Sequence, residues 1–371
     1  MNSPDVAAIT AQVLWASFFL ALLFGAIAQR THFCTMGAVS DWINMGDLTR
    51  MRQWGMAAGV AMIGFAALAT GGLIDPSRAL YHSSRWIWLS AAVGGLLFGF
   101  GMVLGSGCGS KTLVRVGTGN LKSVVVFVVL GFSSYATLRG ITAVLRDATV
   151  DRVAVDMPPA ASLPQWLAGL SGVSLETTAL VAALVLGGGL VVWALMGRGF
   201  RTSENLLAGL GIGATVVGMW WVSGHLGYLP EHPETLEAAN LGTQSGRMEA
   251  FTFVAPIAHT LDWLMFFSDK NKVLTLGVVV VVGVVLGSFF MALFTRSFRW
   301  EGFGSTEDLG NHLVGAVLMG VGGVTAMGCT VGQGLSGIST LSLTSFVAVA
   351  GIIGGGYAAL KYQMWRLEQQ A

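Results

Sequence analysis

Residues 93–108 read VGGLLFGFGMVLGSGC and residues 314–329 read VGAVLMGVGGVTAMGC, and the two stretches agree at 8 of 16 positions, each ending on a cysteine. The chain holds only three cysteines in 371 residues, so coincidence is a poor account of two at one register. Each copy is apolar and studded with glycine, stops at a thiol, and gives way to small polar residues: GSKTLVRVGTGN after Cys108 and TVGQGLSGIST after Cys329. That pattern predicts a membrane helix that ends inside the protein and hands over to an irregular loop.

Composition agrees with this class. Charged residues make up 11% of the chain and hydrophobic residues 54%, against about 25% charged in a soluble domain. Too few polar residues remain to cover a water-soluble globule. A net charge of +1 carries no message about nucleic acid. The cysteines form no CxxC and cannot all pair, so free thiols are expected.

Working outward, apolar runs predict spans near residues 11–28, 54–73, 86–104, 121–139, 177–196, 204–224, 273–294, 309–327 and 341–360, about nine crossings. The first run lacks the basic leader of a signal peptide and is read as a retained helix. Arg30, Arg50 and Arg52 flank Cys34 and mark a cytoplasmic loop, so the N-terminus starts outside and Lys361 and Arg366 end inside. The expected fold is an all-α polytopic membrane protein, a single transmembrane domain over residues 1–371. An N-terminal repeat covers 11–140 and a C-terminal repeat 177–360, with an external insertion at about 225–272 lying along the membrane surface. The two matched helices are an odd number of crossings apart. They therefore enter from opposite faces as an inverted pseudo-two-fold repeat, and their breaks meet near the midplane.

Such a break offers chemistry. Gly107 and Gly109 beside Cys108, and Gly328 beside Cys329, are expected to turn backbone N–H groups toward one point as an anion-binding nest. Ser110, Thr330 and Gln333 add side-chain donors. A thiol in apolar surroundings stays protonated, a weak S–H donor with a soft sulfur, so the combination points to a small anion that carries a soft atom itself. The competing reading is that a buried cysteine is a small packing residue, which the matched pair weakens for Cys108 and Cys329 more than for Cys34.

Other signals fade on inspection. GSGCGSKT, residues 105–112, misses a phosphate-binding loop because Ser110 stands where the second glycine belongs. His225, His232 and His259 lack metal-ligand spacing, and no metal or cofactor is expected. Trp86, Trp88, Trp220, Trp221 and Trp365 fall near helix ends and read as an interfacial belt. No carboxylate falls mid-span, so no ion coupling is legible.

The segments GAIAQRTHFCTMGAV, FGMVLGSGCGSKTLVRVGTGNLKS and GGVTAMGCTVGQGLSGIS resemble the YeeE/YedE family of sulfur-compound transporters, above all its thiosulfate-uptake members. The resemblance implies a bacterial inner-membrane protein, not an enzyme, in which thiosulfate passes between thiols through transient S–H···S contacts. Cys34, Cys108 and Cys329 would form that relay, with Arg30 and Lys111 chosen for position and charge. It further implies a cytosolic sulfur-carrier partner of the TusA type beside the lipid bilayer. Selenium or other sulfur compounds remain alternative cargoes. A membrane thiol enzyme that carries sulfur as a persulfide is the alternative of a different class.

Overall fold

In hydrocarbon a backbone must satisfy its own N–H and C=O groups, so the long apolar runs fold as helices. A computed structural model describes residues 5–233 and 235–370; Glu234 and both chain ends lie outside the described residues. Eight of its helical stretches are long and apolar enough to cross a membrane. The chain runs α1 (Val6–Arg30), α2 (Thr35–Met45), α3 (Thr49–Thr70), α4 (Trp88–Leu104), α5 (Gly109–Gly117), α6 (Leu121–Arg139), α7 (Ile141–Ala148), α8 (Leu163–Ser171) and α9 (Leu175–Leu195). It continues with α10 (Ser203–Leu226), α11 (Val254–Met265), α12 (Leu276–Phe294) and α13 (Thr306–Thr325), then a helical stretch α14 over 330–339 and α15 (Leu343–Gln370). The protein is an all-α, multi-pass membrane protein. Its only sheets among the described residues are two-stranded, β1 (Arg85–Trp86) with β2 (Val155–Asp156) and β3 (Tyr228–Leu229) with β4 (Ala239–Asn240).

Helix α13 carries Glu307, Asp308, Asn311 and His312 in its first turns and is not among those eight. Its second half nonetheless runs antiparallel to α4. A Cβ on Gly101 would meet the Gly315 carbonyl at 2.7 Å, and one on Gly322 would meet the Phe98 nitrogen at 2.5 Å. With it the described bundle has nine long helices, eight of them long and apolar enough to cross a membrane, against about nine crossings expected.

Contacts between loops sort the two faces. On one face Leu121 N–H donates to the Glu301 carbonyl (2.8 Å), Lys122 pairs with Asp308 (2.8 Å) and Arg30 with Glu204 (3.1 Å). On the opposite face Met248 N–H donates to the Arg78 carbonyl (2.9 Å), Leu163 N–H to Leu341 (2.9 Å) and Leu276 N–H to Gly242 (2.7 Å). The long and short helices recur in one order, α1 to α6 and again α10 to α15, with α7, α8 and α9 between. α9 packs on α3, where the Gly59 and Gly187 backbones touch.

Two expectations differ from the structure. Residues 225–272 were expected to lie along the surface, but Phe251, Phe253, Val254 and Ile257 are at most 1% exposed. Ile257 and Leu261 of α11 cover Gly131, halfway along α6, and Pro256 covers Gly277 of α12. The segment dips because small residues on three neighbouring helices leave room for it. Trp220 was expected in the interfacial belt but is wholly buried, its indole N–H donating to Ser339 Oγ at 2.9 Å. Trp88, Trp221 and Trp365 are exposed near helix ends.

Candidate functional site

Each of the three cysteines stands two residues after a left-handed residue. His32 has φ 52°, Ser106 57° and Met327 56°, and Cys34, Cys108 and Cys329 follow at one spacing. None of the three is glycine, so each break costs about 1–2 kcal/mol of backbone strain. Hydrogen bonds hold the geometry in place. Gly107 N–H returns to the Met102 carbonyl (2.8 Å) and Gly328 N–H to Gly323 (2.8 Å), and Phe33 N–H returns to Ala28 (3.2 Å). These bonds close one helix, and the cysteine then caps the next.

The polar stretches after the thiols are therefore helical, which corrects the expectation of irregular loops. α5 follows Cys108, and α14 follows Cys329 with a π-helical core at Gly332–Gly337. Gly107, Gly109 and Gly328 do not adopt the positive φ that a glycine nest would need. Gly107 and Gly328 instead make room: a Cβ on Gly107 would meet Lys111 Cβ at 3.2 Å, and one on Gly328 would meet the Gln333 nitrogen at 3.3 Å. The donors are those of helix N-termini. Cys34 Sγ accepts the Gly37 N–H and Cys329 Sγ the Gly332 N–H, both at 3.4 Å.

The breaks converge although α4 and α13 descend from opposite faces. Cys108 lies close enough to interact electrostatically with both Cys34 and Cys329. The dipping segment fills the space between: the Phe253 backbone N–H faces the Cys329 thiol, and its Cβ is 3.5 Å from where a Cβ on Gly109 would sit. Phe24 on α1 packs tilted against Phe251 and Phe253 with ring centroids 4.8 and 5.5 Å apart, giving the centre a buried aromatic wall. All three thiols are buried and unpaired.

The other candidates divide. Ser110 Oγ is 3.2 Å from Cys108 Sγ. Thr330 Oγ is buried and has no partner. Lys111 lies beside Cys34 and Cys108, with Arg115 also near Cys34 and Arg50 near Lys111. Arg30 is not brought in; it pairs with Glu204 at the surface, both side chains at least half exposed. Residue composition gave no sign of His32, Phe253 or Arg115, whose guanidinium donates to the Ser106 carbonyl at 2.7 Å. The return of Cys34 two residues after a non-glycine break was detectable only by overlaying all three cysteines.

Gln333 holds the break at Cys329, since its Nε2 donates to the Ala326 carbonyl at 2.5 Å while its Oε1 is buried without a partner. Gln333→Leu leaves that carbonyl unsatisfied and is expected to lower stability by about 1–3 kcal/mol. Thermal unfolding in detergent checks this; an unchanged midpoint would show that the bond does not hold the break.

A bundle of nine long helices, whose breaks bring thiols and helix N-termini from both faces to one buried centre, has the architecture of a multi-pass membrane transporter. The chain belongs to the sulphur transport family, whose profile matches residues 30–358. It is 26% identical to the thiosulfate transporter TsuA of Escherichia coli (strain K12) over 91% of each chain. It is 25% identical to the thiosulfate transporter TsuA of Spirochaeta thermophila (strain ATCC 700085 / DSM 6578 / Z-1203) over 91% of this chain and 94% of that one.

Proposed function

We propose that this protein takes up thiosulfate across a bacterial cytoplasmic membrane, passing the intact ion along Cys329, Cys108 and Cys34. The observation that carries this reading is the convergence of three buried thiols, each at the start of a short helix, beside a buried aromatic wall. Helix N-termini favour the negative charge, and an S–H group donates to the terminal sulfur with little desolvation cost. Lys111 adds a cation between Cys34 and Cys108. The names of the two relatives support thiosulfate as cargo.

The orientation follows from charge. The face holding the Glu301–Leu121 contact carries Arg30, Arg50, Arg52, Arg115, Lys122, Arg198, Arg201, Arg296, Arg299, Lys361 and Arg366, which is 11 of the 20 basic residues. This face also has the short connections, so it is assigned to the cytoplasm, with the N-terminus outside and the C-terminus inside. Cys34, beside Lys111 and Arg50, is the exit-side thiol, from which a cytosolic sulfur carrier of the TusA type would collect the ion. We further read α1–α6 and α10–α15 as the two inverted halves, which refines the repeat boundaries of 11–140 and 177–360.

The test is uptake of labelled thiosulfate into vesicles holding only this protein, with sulfate and selenate as competitors and the intact mass of the recovered protein as a second readout. Thiosulfate accumulating inside as the intact ion, with no mass added to the protein, is the expected result. No uptake above empty vesicles overturns the reading, and a persulfide of one added sulfur replaces the relay by covalent transfer.

A further inference from the structure

The proposed route needs an entrance, and the outer face holds one. A cavity of about 300 Å³ opens there between the end of α3, the start of α9 and the loop after α14. Its walls are mostly apolar, with Ser77, His82, Ser162, Gln165, Thr340 and Ser342 adding scattered hydrogen-bonding groups. Its two carboxylates are turned aside or lie at the rim: Asp75 accepts from the N–H and Oγ of Ser77 at 3.0 and 2.7 Å, and Glu176 is exposed in the first turn of α9. No thiol lines the cavity, but Tyr81 does, and it lies near Cys329.

Tyr81 is 8% exposed, whereas Cys329 is wholly buried. Its phenol oxygen is 3.3 Å from where a Cβ on Gly332 would sit, and Gly332 is the residue whose N–H donates to Cys329 Sγ. No hydrogen bond to that phenol is formed among the described residues, so its donor is unspent. The ring is fixed on one side by an edge contact with Trp220 at 6.4 Å, itself tied to Ser339 of the cavity wall. The loop that carries it is fastened to the dipping segment through Leu80 N–H to Met248 (3.0 Å) and Met248 N–H to Arg78 (2.9 Å). Burial, with Cys329 and Glu249 nearby, holds the phenol well above its ordinary pKa, so it keeps its proton.

We propose that Tyr81 is the entry-side gate: its hydroxyl donates to a small oxyanion held in the outer cavity, and its ring bars the last step to Cys329 until it swings aside. This rests on the transport reading above. It adds a specificity and gating residue that neither the cysteine repeat nor the family pattern indicated.

The experiment uses the full-length protein in vesicles, with Tyr81→Phe and Tyr81→Ala. Two quantities are measured: the kinetics of labelled thiosulfate uptake, and the rate at which a charged, membrane-impermeant methanethiosulfonate added from outside modifies Cys329, read by peptide mass. Tyr81→Phe keeps the gate and loses the donor. It is expected to raise KM about tenfold with Vmax within about twofold, and to leave the labelling of Cys329 at the wild-type rate. Tyr81→Ala removes the ring and is expected to speed that labelling by about tenfold or more. Tyr81→Leu replaces it if the alanine variant does not fold. A wild-type KM in Tyr81→Phe, or an unchanged labelling rate in the ring-deleted variant, overturns the proposal. Wild-type vesicles that take up no thiosulfate overturn the transport reading instead, and the labelling arm, which needs no transport, still decides the gate.

Discussion

Replacing Cys108 by alanine is expected to cut thiosulfate uptake by about 100-fold, close to the loss of one hydrogen bond to a charged group at the upper end of its range, roughly 3 kcal/mol. Cys108 is singled out because it lies near both of the other thiols, so a gap there breaks the route in the middle. Cys108→Ser should recover only part of the loss. A hydroxyl still donates, but its hard oxygen does not match a soft terminal sulfur, and it draws Ser110, now 3.2 Å from the thiol, into a competing bond. Cys34→Ser should be milder, since its sulfur already accepts the Gly37 N–H and serine caps helices well. Uptake per folded protein, with folding followed by size exclusion, separates these outcomes from simple loss of protein. Wild-type uptake in Cys108→Ala would end the relay as an account of this family member.

The repeated stretch made much of this legible before any coordinates. Composition gave the class, the odd number of crossings gave opposed helices, and both cysteine-tipped breaks follow α4 and α13 where the overlay placed them. The third break was hidden because His32 is neither glycine nor part of the repeat. Its helix geometry comes from the Thr31 and Phe33 N–H groups bonding back into α1, which no composition rule reports. The dipping segment was hidden for another reason. A helix as short as Val254–Met265, set in the longest polar region of the chain, looks like surface structure until its partners are known. Gly131, Gly109 and Gly323 on separate elements together make the socket, and that is tertiary information. The role of Gln333 was misread because an amide offers a donor and an acceptor, and only packing decides which end is spent.

The other large effect concerns the seam between α4 and α13. Gly315→Leu is expected to abolish folding, and even Gly315→Ala to lower stability by about 1–3 kcal/mol. A Cβ there would meet the Gly105 nitrogen at 2.5 Å and the Gly101 carbonyl at 2.7 Å. Both are backbone atoms, so no rotamer change relieves the clash and the helices must separate. Separation also moves both breaks, because Gly105 begins the turn that ends at Cys108, and Gly322, which faces Phe98 across the same seam, supplies the carbonyl that closes α13. The control is Gly188 on α9, where nothing lies within 4 Å of an added Cβ. Gly188→Ala is expected to be neutral or stabilising by up to about 1 kcal/mol, since alanine favours the helix. Thermal unfolding of the two alanine variants side by side isolates the seam. If Gly315→Ala unfolds at the same temperature as Gly188→Ala, close backbone contact at the seam does not hold the two breaks in register, and the convergence of the thiols must be maintained by the dipping segment and α5 alone.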